Sequence, residues 1–366
     1  MCKLFISVCL PLISLGPLFG QGATLTGSGY SDPSIINVAP GQVTTLFVTG
    51  LKTVLSSQPV SASALPLPAA LAGISVTLDQ TGGQPTPVPL LSVRQISTCT
   101  AGSASGCLIT AVTIQVPFEL LPPPSVPELV VSEDAAGGVG TAFKVVPSTD
   151  KIHVINTCDV FPPVPVTSQS FCSPLVTHAD GTLVGPGAPA KPGEEVVVWA
   201  FGLGETAPAA KTGEASPLPA ATVLSRLYVQ FDFRINAAVS PPYIDLSAVP
   251  VESFVAPVFA GLTPGQVGLY QINVRIPDST PAAENCGLPT GTGDVNLSIY
   301  NFVQSNLTID IGGNSSFDGA AICFASGQQP SPGERRQYLS SELPLLLDPL
   351  HEVSHHYGIS SYQQRY

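Results

Sequence analysis

The chain has 366 residues, enough for two domains of about 150 residues each. Its formal net charge is -12, from 13 Lys and Arg against 25 Asp and Glu, and no basic cluster is present to bind a phosphate backbone, which argues against nucleic acid as a partner. Charged residues make up only 10% and hydrophobic ones 44%, with 34 Gly and 38 Pro spread along the chain; that balance is the reverse of a disordered protein and implies a packed, turn-rich one.

Residues 1–22 read as a secretory signal: Lys3, an apolar run from Leu4 to Leu15, then small residues at Gly20, Gly22 and Ala23. The run is too short to cross a bilayer as a helix, which takes about 20 apolar residues. Cleavage near Gly22 and export are expected, with no membrane span afterwards. Cys9, preceded by Ile-Ser-Val, comes too early for lipid attachment. Export removes Cys2 and Cys9 and leaves Cys99, Cys107, Cys158, Cys172, Cys286 and Cys323. These fall into three sequence-local couples, which favours nearest-neighbour pairing, and an oxidising compartment favours disulfides. No two are spaced as C-x2-C, so a zinc site is the weaker reading.

From Thr24 onward the text is a series of short runs rich in Val, Ile, Thr and Phe between Pro and Gly clusters. Examples are VTTLFVTG from Val43, LITAVTIQVP from Leu108, ELVVSED from Glu128, TAFKVVP from Thr141, EVVVWAFG from Glu195 and NLTIDIGG from Asn306. Short strands at such spacing, with almost no helical periodicity, predict an all-β sandwich protein. An internal repeat sets the domain count. PGQVTTLFVTGL at Pro40 and PGEEVVVWAFGL at Pro192 are offset by 152 residues, and VTIQVP ending at Pro117 and INVRIP ending at Pro277 by 160. The preserved order marks a tandem duplication. VSEDAAGGVGT reads as a hairpin connection of the first unit, with IYNFVQSNLTI as its counterpart. The expected layout is a first Ig-like β-sandwich over 23–147, a Pro-rich linker closed by Cys158 and Cys172 over 148–177, a second Ig-like β-sandwich over 178–327, and a tail over 328–366 with one short helix.

Two blocks of the second unit, HADGTLVGPGAPAKPGEEVVVWAFGLGET (His178 to Thr206) and FAGLTPGQVGLYQINVRIP (Phe259 to Pro277), resemble the Solibacter C-terminal domain family. The resemblance rests on Asp180-Gly181, Pro192-Gly193, Gly202-Leu203-Gly204 and the stretch from Pro264-Gly265 to Pro277. It implies a bacterial, extracellular, Ig-like sandwich and supplies no catalytic residues. Three cysteine couples and a His-containing tail depart from that pattern.

Several residues invite a chemical role. In YQINVRIP, Tyr270, Ile272, Val274 and Ile276 share one face and Gln271, Asn273 and Arg275 the other, which predicts an apolar core face and a solvated one; Val112, Ile114 and Val116 repeat the core face in the first unit, with Thr113 and Gln115 outward. Trp199, lying in an apolar run, is expected in the core. Tyr228, Phe231 and Phe233 in LYVQFDF could offer a sugar-stacking platform if exposed. GSASG (Gly102 to Gly106) puts Ala104 where a nucleophilic Ser would sit, and GGVGTAF (Gly137 to Phe143) puts Phe143 in place of a third Gly, so both read as turns. HEVSH, from His351 to His355, matches the zinc-peptidase pattern, and a helix capped by Asp348, with Pro349 and Gly358 at its ends, would put His351 and His355 on one face. A third ligand is missing, since Ser361 stands at that position, and coincidence is the preferred reading. Asn296, Asn306 and Asn314 begin glycosylation sequons, which mean little in a bacterial protein, and Asp310 and Asp318 could serve calcium, although no D-x-D-x-D-G loop is present.

The function these features support is a secreted or cell-surface, non-catalytic structural or adhesion module, with no cofactor and with an extracellular protein or polysaccharide as partner. A carbohydrate-binding module is the alternative, and a zinc-dependent hydrolase acting through HEVSH the remote one.

Overall fold

A computed structural model of the protein describes residues 23–28, 36–55, 59–97, 108–134, 137, 140–156, 159, 173–231, 234–236, 254–278, 303–305, 307–311, 317–320 and 322–325. The regular elements among them are all strands, so the all-β expectation holds. The first half contains β1 (Thr24–Ser28), β2 (Ile36–Val38), β3 (Val43–Thr49), β4 (Val60–Ser61), β5 (Ala70–Leu71), β6 (Ile74–Asp79), β7 (Thr86–Pro87), β8 (Leu90–Ser97), β9 (Leu108–Gln115), β10 (Glu128–Glu133) and β11 (Gly140–Pro147). One sheet has the order β1-β3-β9-β8-β4; the other is β2-β11-β10-β6-β5, with β7 against β6. Only β2 and β11 pair in parallel among these. The two sheets face each other over one core, Leu46, Val48, Val112 and Ile114 on one side meeting Ile74, Val76, Leu78, Leu129 and Val131 on the other. Burying each such side chain contributes roughly 1.5–3 kcal/mol.

The second half contains β12 (His153–Val154), β13 (Val176–His178), β14 (Glu195–Phe201), β15 (Thr206–Ala207), β16 (Thr222–Val223), β17 (Leu227–Gln230), β18 (Arg234–Asn236), β19 (Phe254–Val255), β20 (Phe259–Leu262), β21 (Tyr270–Arg275), β22 (Val303–Ser305), β23 (Leu307–Ile311) and β24 (Phe317–Ala320). The order β12-β14-β21-β20-β16-β15, with β13 also on β14, faces the order β19-β17-β23-β24, and β18 pairs with β22. Val196, Val198, Tyr270, Ile272 and Val274 meet Leu227, Val229, Leu307, Ile309 and Ile311 in a second core.

The sequence repeat reappears as repeated backbone bonding. Gly41 N–H donates to Val116 O at 3.0 Å and Gly193 N–H to Ile276 O at 3.0 Å, while Val116 N–H returns to Gln42 O at 2.8 Å and Ile276 N–H to Glu194 O at 2.7 Å. Even the side-chain cap recurs: Gln42 Oε1 accepts from Ala39 N–H at 2.9 Å, and Glu194 Oε2 from Lys191 N–H at 2.8 Å. Gly41 and Gly193 have φ of 71° and 75°, a left-handed conformation that favours glycine and explains the repeated Pro-Gly.

Two expectations about layout need correction. The span 148–177 is not only a linker: β12 and β13 both lie along β14, and Ile152, Val154 and Val176 belong to the second core. Its short apolar pieces were masked by the surrounding prolines. VSEDAAGGVGT does join the antiparallel pair β10 and β11, but the equivalent antiparallel pair in the second sandwich is β23 and β24, so the matching connection lies at 312–316 and not in IYNFVQSNLTI. The signal, the tail and the helix expected in it, His351, His355, Phe233 and the three sequon asparagines lie outside the described residues.

Candidate functional site

Histidine is scarce in this chain, with five in all, and the two described ones, His153 and His178, are both fixed in place. His153 sits where β12, at the edge of one sheet, meets β24, at the edge of the other. Its Nε2 lies 2.8 Å from Asp159 Oδ2 and its Nδ1 3.2 Å from Asp318 Oδ2. Burial alone would favour the neutral ring, but the two carboxylates outweigh it and push the pKa from an ordinary 6.5 up to about 9. The same carboxylates accept backbone N–H groups, Asp318 from Val154 at 2.8 Å and Asp159 from Asn156 at 2.8 Å. The result is an imidazolium that pins two sheets at their edge, with both ring nitrogens engaged. Asp318, weighed above for calcium, is a member of this cluster.

His178 follows the same logic nearer the surface. Its Nδ1 is 2.5 Å from Glu194 Oε1 and its Nε2 3.0 Å from Ala188 O. The hydrogen bond to Glu194 raises the His178 pKa. Glu194 is itself held low: burial would raise it, and the bonds from His178 and from Lys191 N–H prevail. In the first sandwich Glu133, 5% exposed, accepts Lys52 N–H at 2.8 Å, Thr53 N–H at 2.8 Å and the Thr53 hydroxyl at 2.8 Å. Burial pushes its pKa up, and those bonds bring it below the usual carboxylate range. These perturbed groups therefore tie strand ends and loops to sheets. Among the described residues no group of three or more His, Cys, Asp or Glu is placed to hold a metal.

A second feature was not visible in the sequence: the two sandwiches share a buried junction. Gln115, expected in a solvated row, is 1% exposed, and its Oε1 accepts Gly213 N–H of the second sandwich at 2.7 Å. Around it Leu67 N–H donates to Gly213 O at 2.8 Å, Phe118 N–H to Thr212 Oγ1 at 2.9 Å, and Thr212 Oγ1–H to Glu119 Oε2 at 2.6 Å. Gly268, with φ of 63°, lies so close to β3 that a Cβ there would stand 2.6 Å from Val43 Cγ2. Thr113, the other outward residue of that row, is half-buried and its hydroxyl pairs with that of Thr45 at 3.0 Å. Period-2 alternation identifies which residues leave one core; it carries no information about a second body that covers the outer face.

The outer face of β14 and β21 is the open counterpart. Gln271 and Asn273 are half-buried and Arg275 is exposed, as expected for a polar face. Gln271 Nε2–H donates to Asn273 Oδ1 at 3.3 Å and Asn273 Nδ2–H to Glu195 Oε1 at 3.0 Å. Trp199 is on this face and not in the core: it is half-buried, pairs across strands with Gln271, and donates from Nε1 to Thr177 Oγ1 at 3.2 Å. The signal that could have placed it is Glu195, four residues earlier and therefore on the same side. The aromatic of this region that enters the core is Tyr270, wholly buried, with its hydroxyl donating to Gly204 O at 2.5 Å; burial raises its pKa. The platform imagined on LYVQFDF is not formed by Phe231, which is 3% exposed and packs edge-on to Phe324. Tyr228 is half-buried beneath the Arg226 guanidinium, 4.9 Å from its ring centre.

Of the six cysteines, only Cys323 is among the described residues, and it is 4% exposed. Cys99, Cys107, Cys158, Cys172 and Cys286 lie outside them. No helix among the described residues is long and apolar enough to cross a membrane.

No family model matches the chain, and no curated protein matches it. Among solved structures, the Yersinia pseudotuberculosis adhesin InvE is 13% identical, with 83% of this chain covering 59% of that one at a TM-score of 0.20. The C-terminal domain of the Streptococcus agalactiae AgI/II polypeptide BspA is 10% identical, covering 83% of this chain and 99% of that one at a TM-score of 0.18. At those scores neither likeness assigns a function to this chain.

Proposed function

We propose that the protein is a secreted or cell-surface, non-catalytic structural or adhesion module, in which two Ig-like sandwiches act as one stiff body. The observation that carries this reading is the junction around Gln115 and Gly213, where hydrogen-bonded groups of the first sandwich are buried beneath loops of the second, each sandwich already having its own core. A spacer or presenting module needs such a fixed angle, and the perturbed acids and bases support it, because each secures a strand end or loop. The signal-like first 22 residues and the resemblance of the second sandwich to a family of bacterial extracellular modules point to the same compartment. We further propose that the three cysteine couples, Cys99 with Cys107, Cys158 with Cys172 and Cys286 with Cys323, form disulfides there, and that HEVSH is incidental.

Protease shaving of intact producing cells tests the reading, together with the adhesion of beads coated with mature protein to extracellular matrix and to whole cells. Release of peptides from 23–327 by the protease, and retention of coated beads, are expected. Recovery of the chain only from the cytosol, with the first 22 residues intact, would overturn it.

A further inference from the structure

We infer that the outer face of β14, β21 and β20 is a binding strip for a neutral β-linked polysaccharide, centred on Trp199 and Phe259. This inference rests on the adhesion reading and names its ligand and surface. The register puts Trp199 directly across from Gln271, and Gln271 directly across from Gly261. Gly261 offers no side chain and is buried: a Cβ there would stand 2.2 Å from Ala221 O and 2.7 Å from Phe259 Cζ, so the Ala221 backbone and the Phe259 ring cover that position. Trp199 and Phe259 therefore lie on the same sheet face, on the strands to either side of Gln271, with the indole turned toward Thr177 of β13. At a strand spacing of about 4.8 Å, the backbones of β14 and β20 run about 10 Å apart. Two aromatic side chains on one flat sheet face suit an extended β-linked chain, whose apolar C–H faces stack on aromatic rings.

The polar groups between the rings fit the same ligand. Gln271 is oriented by its bond to Asn273, and Asn273 by its bond to Glu195; the Gln271 Oε1 has no hydrogen-bond partner among the described residues, which leaves an acceptor for a sugar hydroxyl at the centre of the strip. Trp199 is locked by its bond to Thr177, so little side-chain freedom is lost on binding. Charge fits a neutral chain: the two charged residues of the face, Glu195 and Arg275, stand directly across from each other with opposite signs, so neither a polyanion nor a polycation is favoured, whereas a neutral chain needs only stacking and hydrogen bonds.

The full mature protein is mixed with microcrystalline cellulose and with chitin, using α-linked dextran as the control for chain shape, and a soluble β-1,4-linked glucose hexamer is titrated against its fluorescence. Trp199 is the only tryptophan, so emission reports this strip alone. Depletion by at least one β-linked solid, a shift in emission with the hexamer, and a tenfold or greater loss of retention in Trp199→Ala are expected, with a smaller loss in Gln271→Ala. Unchanged emission together with no depletion by either solid would overturn the inference, and so would a folded Trp199→Ala that binds like the wild type. The emission readout needs no variant, so misfolding of a variant does not block the test. Beads that still adhere to cells through a protein partner, while the polysaccharides fail, would remove this inference and leave the adhesion reading standing.

Discussion

The cross-strand pair Val43 and Gln115 in the first sandwich and the pair Glu195 and Arg275 in the second occupy equivalent places, each on the outer face at the end of the duplicated strand pair. The first pair is buried, at 5% and 1% exposure, beneath Gly268 and Gly213 of the other sandwich; the second is open to water, with Arg275 exposed and 3.2 Å from Asp278. One position in the duplicated unit is therefore uncharged where it is covered and charged where it is not. Desolvating a guanidinium without a partner costs several kcal/mol, whereas a neutral amide needs only one good hydrogen bond, and Gly213 N–H supplies that bond. Divergence between the units follows solvent, not strand position.

Exchanging the residues breaks the comparison most sharply. Gln115→Arg puts an unpaired charge into the junction and is expected to destabilise the protein by about 3 kcal/mol, read from chemical denaturation. Next in size is the pH response of the His153 clamp. Its pKa rises from 6.5 in the unfolded chain to about 9 in the folded one, so its contribution is complete below pH 6.5 and disappears as pH rises to about 9. A loss of about 2–3 kcal/mol across that window is expected, and His153→Leu should flatten the slope there. Gly268→Ala forces a Cβ against Val43 in a left-handed backbone conformation and should cost about 1–2 kcal/mol, with a smaller effect if Val43 is first cut to Ala. Smallest is Arg275→Gln, the reverse exchange, which removes one exposed ion pair and should change stability by less than about 0.5 kcal/mol.

Strand identity and the duplication were legible because they depend on local pattern: alternation in YQINVRIP placed Tyr270, Ile272 and Val274 inward, and the repeated Pro-Gly marks a turn that demands positive φ. The junction was not legible, because the cover over Gln115 comes from a loop 98 residues away that no periodicity encodes. Trp199 failed for a related reason. Both faces of EVVVWAFG are apolar, so its phase is set by Glu195 and by pairing with Gln271, and not by hydrophobicity. The clamps on His153 and Glu133 unite residues distant in sequence, and neither forms a recognisable motif.

Amide hydrogen exchange at Gly213 tests the shared junction most directly. Its N–H is bonded only to Gln115 of the other sandwich, so slow exchange is expected in the wild type, with fast exchange in Gln115→Ala while core amides such as Val198 stay protected. Exchange at Gly213 at the rate of an open loop in the wild type would contradict the picture of two sandwiches fixed as one body.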